Sequence, residues 1–263
     1  MELPSSDVHP ILGQAVGVYR ERPTPAPLAA HFSRTWFHAL PSGAMRRSAI
    51  VPDGCADLVW SAGSLRIAGP DRTAKIEELP PGATVVGLRF QPGALAAWLR
   101  VSASELVGAR LRLEDFWGGE ARWVGDWVSE GRTAAEVALR LETAMARAAL
   151  GVKRDDGWPA TIFKLVEAHQ PEDMQLIDRL TEATGWSERT LRRRCHDAFG
   201  YGPKTLERIL RFQRFLSLAR GAAASGLAGI AFEAGYADQA HLTRETRELA
   251  GFTPSSVVAQ LNF

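Results

Sequence analysis

Three groups of side chains in this sequence have types and spacings that could do chemistry. Arg189, Arg192, Arg193 and His196 lie opposite an apolar stripe of Leu191, Cys195, Ala198 and Phe199, which falls at i, i+4, i+7 and i+8 of a helix. Gln239, Thr243, Arg244 and Arg247 stand in the same relation to Leu242, Thr246, Leu249 and Ala250. Arg matches the O6 and N7 acceptors of guanine bidentately and Gln matches adenine. Thr can hydrogen-bond a base or meet a thymine methyl, so both sets suit a helix lying in the major groove of double-stranded DNA. The third group is Asp53, Cys55, Asp57, Trp60 and Arg89. The first three, alternating along a strand, would share one face, with Trp60 opposite and Arg89 on a neighbouring strand. Such a face could anchor a small-molecule effector. It could equally be structural, with Asp53-Gly54 as a turn, Cys55 as a small core residue and Asp57 paired with Arg89.

A competing reading makes Cys55 a nucleophile with His31 or His38 as its base, in a cysteine-dependent enzyme or a redox or alkylation sensor fused to a DNA-binding domain. No spacing ties these residues together. Two cysteines, Cys55 and Cys195, cannot supply a four-cysteine zinc site, and the six histidines show no His-x-His pattern. No enzyme activity, cofactor or metal is therefore expected.

The elements that must position these groups fall into two units. The chain has 263 residues, is 46% hydrophobic and carries a net charge of +1, which excludes a disordered chain and a generally basic nucleic-acid coat. Its longest stretch free of Asp, Glu, Lys and Arg runs from Leu249 to Phe263 and is broken by Gly251 and Pro254, so no membrane span is expected. No secretory signal is visible at the start, and the cytoplasm is the expected location. A boundary is placed in the charged, Gly-containing stretch 151–159, and the expected units are a sensing or dimerising one at 1–152 and a DNA-binding one at 153–263. In the first, Arg46–Pro52, Ala56–Ser61, Leu65–Ala68 and Thr84–Gln91 read as short strands separated by Gly- and Pro-containing turns. After Gln91-Pro92-Gly93 the pattern becomes helical. The expected class is α+β: a small antiparallel β unit followed by helices, then an all-α domain with two helix-turn-helix motifs.

That second unit contains an internal repeat. Leu180 to Trp186 (LTEATGW) matches Ile230 to Tyr236 (IAFEAGY) at an offset of 50, and Leu191, Gly200 and Pro203 recur as Leu242, Gly251 and Pro254 at an offset of 51. Each copy reads as helix, Gly-containing turn, helix, then Gly-x-x-Pro. Ser187 and Asp238 are placed to cap the second helix of each copy. From Gln175 to Arg220 there are ten Lys/Arg against five Asp/Glu, a basic patch inside a neutral chain. Thr205 to Arg220 lacks Gly and Pro and reads as one connecting helix. Recognition helices held roughly 34 Å apart would enter successive major grooves on one face of the duplex.

From about Trp158 onward the chain resembles the DNA-binding domain of the AraC/XylS transcription regulators. The likeness is carried by Ile230-Ala231, Gly235-Tyr236, Asp238-Gln239, Leu242-Thr243-Arg244, Arg247 and Gly251-Phe252-Thr253-Pro254. It implies a sequence-specific, one-component bacterial regulator that binds operator DNA. The likeness is also compatible with a small-molecule effector on the N-terminal domain, with a homodimer, and with RNA polymerase as a partner if the protein activates. By the same resemblance Arg189, Arg192, Arg193, Gln239, Ala240, Thr243 and Arg244 sit where the family contacts DNA, and Arg211 matches an Arg common on the connecting helix. Cys195 and Thr246 stand where the family usually has Phe, and Ala250 where it has a large apolar residue. Compensating bulk is expected from Trp186, Phe232 or Phe252. Residues 40 to 118 are similar to a sensor-like domain of bacterial regulators, through the run Val51-Pro52-Asp53-Gly54-Cys55-Ala56-Asp57-Leu58-Val59-Trp60 and the run Gly87-Leu88-Arg89-Phe90-Gln91-Pro92-Gly93.

Overall fold

The computed structural model describes residues 10–43, 46–153, 156–170, 175–220 and 226–262. Its N-terminal part holds nine strands: β1 (Ile11–Leu12), β2 (Val18–Pro23), β3 (Phe32–Ala39), β4 (Arg46–Ile50), β5 (Asp57–Ser61), β6 (Ser64–Ala68), β7 (Lys75–Leu79), β8 (Thr84–Phe90) and β9 (Arg110–Arg112). They form two sheets, β1-β4-β7 and β2-β3-β8-β5-β6-β9, antiparallel throughout except for the parallel β1–β4 pair. The β portion is thus larger than the four expected strands. The helices α1 (Leu95–Leu99), α2 (Glu114–Trp117), α3 (Gly119–Ser129) and α4 (Ala134–Ala149) follow.

β8 and β5 are the two central strands of the six. Val86, Leu88 and Phe90 join Leu58, Leu65 and Ile67 in a core shared with Val124 and Val128 of α3 and Val137, Leu141 and Met145 of α4. Glu142 is the polar exception on α4. It is buried, yet accepts a 2.5 Å hydrogen bond from Thr35 Oγ1 and pairs with Arg22 Nη2 at 2.8 Å, so the helix is keyed to β3 and β2. On the opposite face of the sheet the Trp36 indole lies across Gly87 and donates from Nε1 to Asp57 Oδ1 at 2.8 Å. A Cβ at Gly87 would stand 2.2 Å from that ring.

The C-terminal part is helical: α5 (Trp158–Glu167), α6 (Leu176–Thr184), α7 (Glu188–Phe199), α8 (Pro203–Ala219), α9 (Leu227–Glu233), α10 (Gln239–Ala250) and α11 (Pro254–Leu261). α6 and α7 form the first helix-turn-helix unit and α9 and α10 the second. Gly185 and Gly235 take φ of +67° and +87° in the two turns, a conformation that only Gly adopts readily. The caps form as expected: Ser187 accepts from the Thr190 amide and Asp238 from the His241 amide. Pro203 and Pro254 begin the helices that follow, where the missing N–H has no helical partner to lose. The stripes Leu191, Cys195, Ala198, Phe199 and Leu242, Thr246, Leu249, Ala250 are all buried.

Two sequence expectations are corrected. Phe232 is 75% exposed and supplies no bulk to the core, because it lies on the outer side of α9; Trp186 and Phe252 do pack against the core. Asp53 and Cys55 lie in the loop before β5 rather than on a strand. Gly54 has φ +82°, which ends the extended run and turns the chain toward α8. Among the described residues no helix is long and apolar enough to cross a membrane.

The close seat of Trp36 on Gly87 generates a stability prediction. Gly87→Ala is expected to lower unfolding free energy by about 1–3 kcal/mol in urea titration. In a Trp36→Ala background the same change should cost markedly less; equal costs would show that the ring is not what occupies the space.

Candidate nucleic-acid interface

α7 presents Arg189, Arg192, Arg193 and His196 to solvent, and α10 presents Gln239, Ala240, Arg244 and Arg247. Thr243 is half-buried and its hydroxyl donates to the Gln239 carbonyl at 2.8 Å, leaving the oxygen lone pairs and the methyl for any partner. Arg192 pairs with Glu188 one turn earlier at 2.5 Å. Such an exposed pair is worth under about 1 kcal/mol and yields readily to a stronger anion. Arg194 points elsewhere: its guanidinium lies 4.1 Å from the centre of the Trp186 ring, an arrangement that fixes the turn rather than leaving the charge for a base.

α10 is fixed by charge. Glu245 occupies a place on the buried stripe of α10, three residues after Leu242 and four before Leu249, and is 6% exposed. Its carboxylate accepts from Arg208 Nε at 2.8 Å and Arg211 Nη2 at 3.2 Å, both from α8, and Arg211 also stacks on Tyr236 in the turn. A buried carboxylate is costly unless paired, so this cluster holds α10 to the connecting helix in one orientation. Its signal in the sequence is an acid at i+3 from Leu242 and i−4 from Leu249.

The third group is drawn together except for Trp60. Arg89 Nη2 meets Asp53 Oδ2 at 2.9 Å and its Nε lies 3.4 Å from Asp57 Oδ1, while the Cys55 amide donates to Asp53 Oδ1 at 3.0 Å. Trp60 is on the other face of β5 and reaches Ser129 of α3. Burial pushes the Asp57 carboxyl up against the opposing pull of Arg89. It also pushes the Cys55 thiol well above its ordinary value, with Asp53 adding to the effect. His31, one of the two suggested bases, accepts at Nδ1 from the Trp98 indole, and His38 Nε2 is bonded to the Val16 carbonyl. Cys55 borders a crevice of only about 10 Å³. Cys195, with its thiol pushed up to about 12 by burial, is a core residue.

What the Asp53–Asp57 loop does visibly is dock. A Cβ at Gly54 would lie 3.1 Å from both Leu206 of α8 and Phe163 of α5, and the Pro52 carbonyl accepts from Gln213 Nε2 of α8 at 2.7 Å. Arg89 and Asp57 hold that loop in shape. Leu12, on the short strand β1, is 2% exposed within the helical core, and its amide donates to Gln260 Oε1 of α11. Neither this contact nor those of residues 70–74, described below, carries a signal in hydrophobic periodicity. The larger hollows lie elsewhere. One of about 270 Å³ is lined by Arg72, Arg192, His196, Tyr201 and Lys204, and one of about 480 Å³ by Val18, Arg20, Arg22, Phe37, Ala39 and Ala134. Among the described residues no cluster of three or more His, Cys, Asp or Glu could hold a metal ion.

Comparison with known proteins places two models on this chain. Residues 180–260 match a helix-turn-helix domain, and residues 20–112 match a domain of unknown function, DUF6597. No curated protein matches. Among solved structures, a probable AraC family transcriptional regulator from Rhodopseudomonas palustris is 24% identical over 40% of this chain and 96% of its own, with a TM-score of 0.35. An apo ToxT variant from Vibrio cholerae is 12% identical over 92% of this chain and all of its own, with a TM-score of 0.50. The likeness to ToxT is one of fold: a β-rich N-terminal part followed by helices and a helical helix-turn-helix domain.

Thiols whose pKa is raised by burial are expected to react slowly. Iodoacetamide at pH 8 is expected to alkylate Cys55 and Cys195 in the folded chain at least about tenfold more slowly than in the urea-unfolded chain. Rapid labelling of native Cys55 would restore the thiol-chemistry reading.

Proposed function

We propose that this chain is a sequence-specific DNA-binding transcription regulator of the AraC/XylS type, with operator DNA as its partner and no catalytic role. One observation carries the reading: the helix-turn-helix unit occurs twice, each copy with a capped second helix that turns its apolar stripe inward and its Arg-, Gln- and His-bearing face to solvent. A solvated, salt-bridged surface has no reason to recur with its turn glycine and its Gly-x-x-Pro terminus. The 17 residues of α8 separate the two units by about 25 Å of helix, a span of the order needed to serve neighbouring turns of one duplex.

In this reading Arg189, Arg192, Arg193 and His196 contact DNA from the first helix, and Gln239, Thr243, Arg244 and Arg247 from the second. The N-terminal part senses a small-molecule effector and transmits its presence by a shift in how the two parts are arranged. Asp53, Cys55, Asp57 and Arg89 serve that transmission by shaping the docking loop, since Arg89 already engages both carboxylates. The groove of about 480 Å³ beside Arg20, Arg22 and Phe37 is the better-sized place for an effector.

The test is a genome-fragment binding selection with the full-length protein at two salt concentrations. It is expected to enrich a bipartite motif with half-sites about one helical turn apart, with affinity falling steeply with salt. Arg192→Ala should then cost about 1–3 kcal/mol and relax the preference at one position. Bulk, salt-sensitive binding without a motif would contradict the proposal.

A further inference from the structure

One short segment of the N-terminal part touches the C-terminal ends of both candidate recognition helices. Arg72 Nη2 donates to the carbonyl of Gly200, the residue that closes α7, at 3.2 Å. The Ala74 amide donates to the carbonyl of Leu249, in the last turn of α10, at 2.7 Å. The last carbonyls of a helix have no partner within it, and the negative end of the helix dipole favours a cation such as Arg72. Arg72 and Ala74 are separated by about 7 Å of chain at most. The two helix ends are therefore strapped to neighbouring points of one loop.

The loop itself is rigidly mounted. Asp71 is buried and accepts from Arg110 Nη1 and Nη2 at 3.2 and 2.6 Å, and Arg110 Nε donates to Glu77 Oε1 at 2.9 Å, so β9, β7 and the loop share one ion cluster. The Gly108 amide donates to the Pro70 carbonyl and the Gly69 amide to the Ala109 carbonyl. On the other side Gly200 is wedged against the same region: a Cβ there would lie 2.6 Å from Val107, 2.9 Å from Pro70 and 3.0 Å from the Ala103 carbonyl. Ser102 Oγ adds a bond to Asp197 Oδ1 of α7 at 3.2 Å.

We infer that the segment Pro70–Ala74 sets the spacing and relative orientation of α7 and α10, so that Arg72 and Ala74 determine which half-site spacing the protein accepts. This rests on the DNA-binding reading proposed above. The connecting helix fixes one end of the geometry, and the strap fixes the other. With the strap loosened, each recognition helix keeps its own side chains and its own base preference, while the angle between the two acquires freedom.

The experiment is a selection from duplexes carrying two randomised half-sites joined by spacers of varied length, using full-length wild type, Arg72→Ala, Ala74→Pro and Arg66→Ala. Ala74→Pro deletes the amide donor, and Arg66 is an exposed residue of β6 outside the strap. Wild type and Arg66→Ala are expected to enrich one spacer length. Arg72→Ala and Ala74→Pro are expected to enrich the same half-site sequences with the preferred spacing shifted or spread by a base pair or more. If Ala74→Pro fails to fold by circular dichroism, Arg72→Ala decides alone. A wild-type spacer distribution in the folded strap variants overturns the inference while leaving the DNA-binding reading intact. No enrichment by wild type overturns the DNA-binding reading, and the inference falls with it.

Discussion

A helix that must present one face to a partner has to be held from its other side and its ends. In this protein the carbonyl ends of α7 and α10 are met by donors from a different part of the chain. Arg72 and Ala74 supply those donors, and the Asp71–Arg110–Glu77 cluster keeps them in place. The same interface contains the seat of Gly54 on Leu206 and Phe163, the bond from Gln213 to Pro52 and the burial of Leu12 among helices. Among the described residues two cores are joined by these contacts: the β-rich part grips α7, α8, α10 and α11 together.

This arrangement recasts the Pro-Asp-Gly-Cys run. Its residue types suggest a binding or reactive site, and its surroundings make it a docking loop. Gly54 is Gly because its φ is +82° and because α8 and α5 close over it; Cys55 is a thiol held neutral by burial; Asp53 and Asp57 are shared by a single Arg89. Two carboxylates held by one arginine, where the β-rich part meets α8 and α5, suit an element that must keep its shape while passing a displacement from one part to the other. Under the proposed function, an effector alters DNA reading by moving this loop and the strap relative to α8.

The legible parts of the sequence were those where periodicity and capping act alone. The two stripes, the caps at Ser187 and Asp238 and the turn glycines all follow from local rules, and β5, β6 and β8 from short apolar runs between turns. β2 and β7 escaped because they are edge strands whose residues, Arg20, Glu21, Arg22 and Pro23 in one and Lys75, Glu77 and Glu78 in the other, carry the charge and proline that protect an edge and erase the apolar alternation. β3 is internal, but a bulge between Phe32 and Arg34 and the buried polar residues Thr35 and His38 blur its pattern. Glu245 went unread in the sequence, because its burial and its partners Arg208 and Arg211 appear only once α8 and α10 are side by side. The strap has no sequence signature, because a backbone amide at Ala74 looks like any other.

The central claim is that the N-terminal part holds both α7 and α10 in the free protein, and amide hydrogen exchange at Ala74 tests it most directly. With its donor bonded to Leu249 inside a rigid interface, the Ala74 amide should exchange as slowly as the hydrogen-bonded amides in the middle of α7. Exchange at the rate of an exposed peptide, while those helix amides stay protected, would mean that the strap is open in solution and would contradict the account.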